Sequence, residues 1–67
     1  MTRVQLKALQ IGDKVVWVDP DTGLEGDFYI QEIVTEYGYL NEMDDVLVIT
    51  DGAMTCHEIF AAELIST

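Results

Sequence analysis

The chain has 67 residues, room for one small domain whose core is modest and no room for a second. Thirteen acidic residues against three basic ones leave a formal net charge of −10 spread along the chain; that field repels phosphate backbones and anionic membrane surfaces, which excludes direct nucleic-acid and membrane binding. An apolar content of 49% separates the chain from a disordered acidic tail, and a lone cysteine, Cys56, excludes an internal disulfide framework and points to the reducing cytoplasm.

Residues 1–12 carry apolar side chains at Val4, Leu6, Ala8 and Leu9, a pattern that fits either a short helical turn or an extended lead-in; the extended lead-in, with a turn at Gly12-Asp13, is the expectation. Residues 14–19 follow as a strand rich in β-branched and aromatic side chains, ended by Pro20, which lacks the N–H that a ladder needs. Asp19-Pro-Asp-Thr-Gly23 has the proline, aspartates and glycine of a tight reversal. Residues 26–35 are long enough for a strand that bends through two layers. A bulge would exchange its faces, so either Phe28 or Tyr29 points inward.

An irregular loop over residues 36–44 leads to a β-prone run at 46–50, then Asp51-Gly52, then a second run at 53–59. Asp-Gly between such runs predicts a two-residue type I′ hairpin, because both central positions need positive φ. That register sets Thr50 opposite Ala53, Ile49 opposite Met54, Val48 opposite Thr55, Leu47 opposite Cys56 and Val46 opposite His57. Leu47, Ile49, Met54 and Cys56 then form the core face. Residues 60–63 make one tight helical turn before a short last strand over 63–65.

These elements predict an all-β fold: a five-stranded barrel over residues 13–67, with one 3-10 turn before the last strand. The entry Leu9-x-x-Gly-Asp-x-Val15, the acidic turn, the long second strand, the Asp-Gly hairpin and the ending Ile59-x-x-x-x-Leu64 resemble Src-homology-3-like (Tudor-like) barrels of small bacterial proteins. The Ala-Leu-Tyr-Asp-Tyr element, paired tryptophans and Pro-x-x-Tyr element of peptide-binding Src-homology-3 domains are absent, so recognition of proline-rich peptides does not carry over. The basic loop of ribosome-associated relatives is absent too.

Candidate sites are few. Asp19, Asp21, Gly23, Glu25 and Asp27 alternate like a calcium loop, but Leu24 and Ile30 stand where that loop needs glycine and a bidentate glutamate. Cys56 and His57 are adjacent in a strand and point to opposite faces, so they do not share an ion; Cys56 is expected in the core and His57 half-exposed. Ser66 is expected at a fraying end, Cys56 is expected to face the core with no base on that face beside it, and a barrel this small offers the pairs Asp44-Asp45 and Glu25 with Asp27 little pocket in which to act as acid and base. Neither catalysis nor a cofactor is expected. Trp17 and Phe60 are expected in the core, while Tyr37 and Tyr39, on a loop, are available to a partner.

The resulting expectation is a non-catalytic cytoplasmic interaction module, monomer or homodimer, that meets a basic or mixed protein surface through Tyr37, Tyr39, Asp19, Asp21, Glu25 and Asp27. A mimic of nucleic acid that blocks a DNA-binding protein, and a weak divalent-metal loop over residues 19–27, are the alternatives.

Overall fold

Thr2 and Gln5 start the first element by capping each other. The Gln5 N–H donates to Thr2 Oγ1 at 3.2 Å and the Thr2 N–H to Gln5 Oε1 at 2.7 Å, the reciprocal box that favours a helix N-terminus. The structure, a computed structural model, describes residues 1–65, and its first element is an α-helix, α1 (Arg3–Ala8). This replaces the extended lead-in. A helix turns Leu6 alone into the core and leaves Val4 exposed, whereas an extended strand would put both on one face. Arg3 ties the helix to the distant loop, donating from Nε to the Asn41 carbonyl at 3.2 Å and pairing with the Glu42 carboxylate at 2.6 Å.

Five antiparallel strands follow: β1 (Lys14–Val18), β2 (Glu25–Val34), β3 (Val46–Thr50), β4 (Cys56–Phe60) and β5 (Leu64–Ile65). They hydrogen-bond in the order β4-β3-β2-β1-β5, so the first four make a meander and β5 returns to the free side of β1, with Leu64 opposite Trp17. The sheet curls into a half-barrel.

β2 bends at a bulge. Its ladder with β3 pairs Ile30 with Ile49 and then Glu32 with Val48, leaving Gln31 unpaired. An extra residue flips the alternation: Phe28 and Ile30 face inward before it and Ile33 after it, while Tyr29 points out. That settles the inward face of this strand in favour of Phe28.

The β3–β4 connection differs from the two-residue turn. Thr50 pairs with Cys56, Ile49 with His57, Val48 with Glu58, Leu47 with Ile59 and Val46 with Phe60, so residues 51–55 form the loop. Side chains hold it open: the Thr50 hydroxyl accepts from the Gly52 N–H and donates to the Thr55 carbonyl, and Asp51 Oδ1 accepts from the Ala53 N–H at 2.8 Å. These local bonds compete with the tighter turn. The slip is odd-numbered, so the second strand turns over. Met54 is 97% exposed, Cys56 faces solvent, and Ile59 takes the core position opposite Leu47.

A 3-10 turn, Ala61–Glu63, precedes β5 as expected. Phe60 is not core; it is 54% exposed, because the residues on both sides of it, Ile59 and Ala61, are the buried ones and strand alternation sends Phe60 outward. The core joins Leu6, Val15, Trp17, Phe28, Ile30, Leu40, Leu47, Ile49, Ile59, Ala61 and Leu64. His57 fills the mouth of the half-barrel, its ring centroid 4.7 Å from Trp17 and 5.8 Å from Phe28. No described helix is long and apolar enough to cross a membrane.

Candidate functional site

Many of the carboxylates have structural work. Asp13 accepts from the Gln10 N–H, Asp19 from Asp21, Asp45 from both Asn41 and Glu42, Asp51 from Ala53, and Glu63 from Phe60. Glu42 pairs with Arg3 and Asp27 with Lys14. Aspartate is favoured at such turns because its short side chain reaches backbone donors that the chain reversal leaves open. Asp21, Glu25, Glu32, Glu36, Asp44 and Glu58 are free of such structural bonds among the described residues.

The expected partner surface divides in two. Asp19, Asp21, Glu25 and Asp27 lie on the β1–β2 turn and the start of β2, whereas Tyr37 and Tyr39 follow the other end of that ten-residue strand. In the acidic turn, Asp19 Oδ1 accepts from the Asp21 N–H at 2.8 Å and the Asp19 backbone C=O from the Gly23 N–H at 2.7 Å. Among the described residues no three histidine, cysteine, aspartate or glutamate side chains come close enough to hold a metal ion, and the turn's carboxylates do not converge.

At the other end of β2 the side chains do gather. Gly38, at φ 79°, lets the loop reverse between the two tyrosines. The Thr35 hydroxyl donates to the Tyr39 carbonyl at 2.9 Å. The rings of Tyr37 and Tyr39 lie 5.6 Å apart and tilted by 36°, and are 58% and 41% exposed. Beside Tyr37 runs an open groove of about 580 Å³, walled by Glu32, Val34, Glu36, Tyr37 and Asp45. Buried Leu40 anchors the same loop underneath.

Asp45 shapes this groove. The backbone N–H groups of Glu42 and then Asn41 hold its carboxyl below the ordinary carboxylate range, because hydrogen bonds donated to the charged form favour it. It therefore presents a fixed negative charge at neutral pH. The groove can hold a cationic side chain between carboxylates and beside an aromatic face, a setting suited to arginine or lysine. The chain matches no known family model, no curated protein and no solved structure.

Sequence reasoning found the two tyrosines but missed Glu32, Glu36, Val34 and Asp45 as the residues that share a groove with Tyr37. The Gln31 bulge decides which side of β2 Glu32 and Val34 take, and no residue type announces that bulge. Cys56 and His57 do point to opposite faces, but with the inside and outside exchanged relative to expectation: Cys56 is outside and half-buried His57 faces the aromatic rings. Ser66 lies outside the described residues.

Proposed function

We propose that the protein is a non-catalytic interaction module of the Src-homology-3-like kind, acting in the cytoplasm and taking a cationic segment of a protein partner in the groove beside Tyr37 and Tyr39. The observation that carries this reading is Tyr37, with the Tyr39 ring 5.6 Å from its own, standing in a groove that has Glu32, Glu36 and Asp45 in its walls. Exposed aromatic rings contribute contact area at small entropic cost, and neighbouring carboxylates give on-rate and choice of partner. The ionised state of Asp45 favours binding over acid catalysis, since a general acid needs its proton retained near neutral pH.

The test is recovery of partners from a cell lysate on the immobilised protein, comparing the natural chain with a Tyr37→Ala, Tyr39→Ala variant. Partners held by the natural chain and lost by the variant, with only partial loss in high salt, support the groove. Capture confined to nucleic-acid enzymes, abolished by salt and indifferent to the tyrosines, would instead mean mimicry of a phosphate backbone and overturn the proposal.

A further inference from the structure

The free side of β4 is a second surface, separate from the groove, and its hydrogen-bonding phase can be worked out. The Ala61 N–H donates to the Asp45 carbonyl at 2.8 Å, and these residues extend the β3–β4 register by one step. Directly opposed residues that bond alternate with opposed residues that do not. Leu47 with Ile59 and Ile49 with His57 are therefore the bonded pairs. At Cys56, Glu58 and Phe60 the N–H and C=O point away from β3, towards the open edge. Glu63 covers one end, its carboxylate accepting from the Phe60 N–H at 2.7 Å. Outside the strand ladders no backbone hydrogen bond reaches the N–H or C=O of Cys56 or Glu58 among the described residues, the ladder's phase turns both away from β3, and both residues are exposed.

Edges of this kind are usually blunted by lysine, proline or a bulge. β4 and its ladder with β3 have none of these, and no lysine or arginine follows Lys14 anywhere in the chain. The charge beside the edge is negative throughout: Glu58 on β4, Glu32 in the same cross-strand row through Val48, and Glu63 at the end. A second copy is a poor occupant, because it would bring another charge of −10 and set one Glu58 near the other. A basic strand answers both features.

We infer that the β4 edge accepts an extended, basic segment of a partner protein as an added antiparallel strand, bonded to the backbone of Cys56 and Glu58. A residue placed opposite Glu58 lies on the outer face and is lysine or arginine. Its neighbours lie on the inner face beside His57 and Ile59 and are apolar. The same geometry makes the basic residue the one whose own N–H and C=O face β4.

A short synthetic peptide of alternating lysine and valine tests this on the intact protein, with affinity and backbone amide shifts measured by nuclear magnetic resonance. Methylating the lysine backbone nitrogens should weaken binding by about tenfold or more, while methylating the valine nitrogens should change it little; the amides of Cys56 and Glu58 should move most. Glu58→Lys should also weaken binding, and the methylated peptides keep the test valid if that variant folds poorly. Equal binding by both methylated peptides overturns the inference. So do shifts confined to Tyr37 and Tyr39, which would assign the peptide to the groove, and self-association with protected Cys56 and Glu58 amides before any peptide is added, which would assign the edge to a second copy.

Discussion

Gly26 shows how closely the half-barrel is packed at single residues. It faces Trp17 across the β1–β2 ladder, and a Cβ built there would lie 2.9 Å from the Phe28 ring. That ring is held edge-on to Trp17 at 5.3 Å and touches His57 beyond it. Gly26→Ala should therefore push Phe28 off its neighbours and cost about 1–3 kcal/mol, the usual penalty for overpacking. A thermal melt followed by Trp17 fluorescence checks it: an unchanged midpoint and spectrum would show that the ring moves freely. The closeness of Gly26 to Phe28 could not be read from the chain, since nothing in an isolated Glu-Gly-Asp triplet signals an aromatic ring above it.

Among the elements, legibility followed the range of the forces. β1, the reversal after it and the long β2 rest on local preferences of β-branched and aromatic residues, proline and glycine, and they stand where they were expected, as does the 3-10 turn before β5. The β3–β4 register does not, because Asp51-Gly52 satisfies two turns and Thr50 with Asp51 favours the wider one by bonding the loop's own backbone. The helix start was written in Thr2-x-x-Gln5, a cap signal that a reading based only on the apolar residues of this stretch did not use. The groove was half legible: tyrosines on a loop are visible in a sequence, whereas their carboxylate neighbours depend on an unpaired Gln31. A paired substitution separates the two registers. Ile59→Ala should cost about 2–5 kcal/mol, as removal of a buried branched side chain does, while Met54→Lys should stay within about 0.5 kcal/mol of the natural chain. Denaturant titration reads both. A large loss for Met54→Lys would restore the tighter turn and put Cys56 back in the core.

For the whole molecule the governing quantity is its charge. A net charge of −10 sits on a body 30 × 21 × 17 Å, so at about 0.01 M salt, where screening reaches roughly 30 Å, every carboxylate feels all the others, and at about 0.1 M only those within roughly 10 Å. Added sodium chloride at neutral pH should raise the melting temperature, since the two exposed ion pairs among the described residues that it weakens are worth at most about 1 kcal/mol each. A gain of about 1 kcal/mol would appear as roughly 4–8 °C in a domain of this size. Acid acts in two opposed ways. Lowering the pH from 7 towards the isoelectric point near 4.1 removes self-repulsion and stabilises the fold. Asp45 and Asp51 work against that lower down. Both carboxyls are held below the ordinary carboxylate value, Asp45 by the Glu42 and Asn41 N–H groups and Asp51 by the Ala53 N–H and then the Thr55 hydroxyl. Folding therefore favours their charged forms; the stabilisation they supply is full above the unfolded value near 3.8 and disappears as the pH falls through their lower folded values. Melting temperature at low salt should thus climb as the pH drops to about 5 and fall below about 4, with Asp45→Asn and Asp51→Asn flattening the acid limb alone. A steady decline from pH 7 downwards would mean that repulsion between carboxylates does not limit this fold.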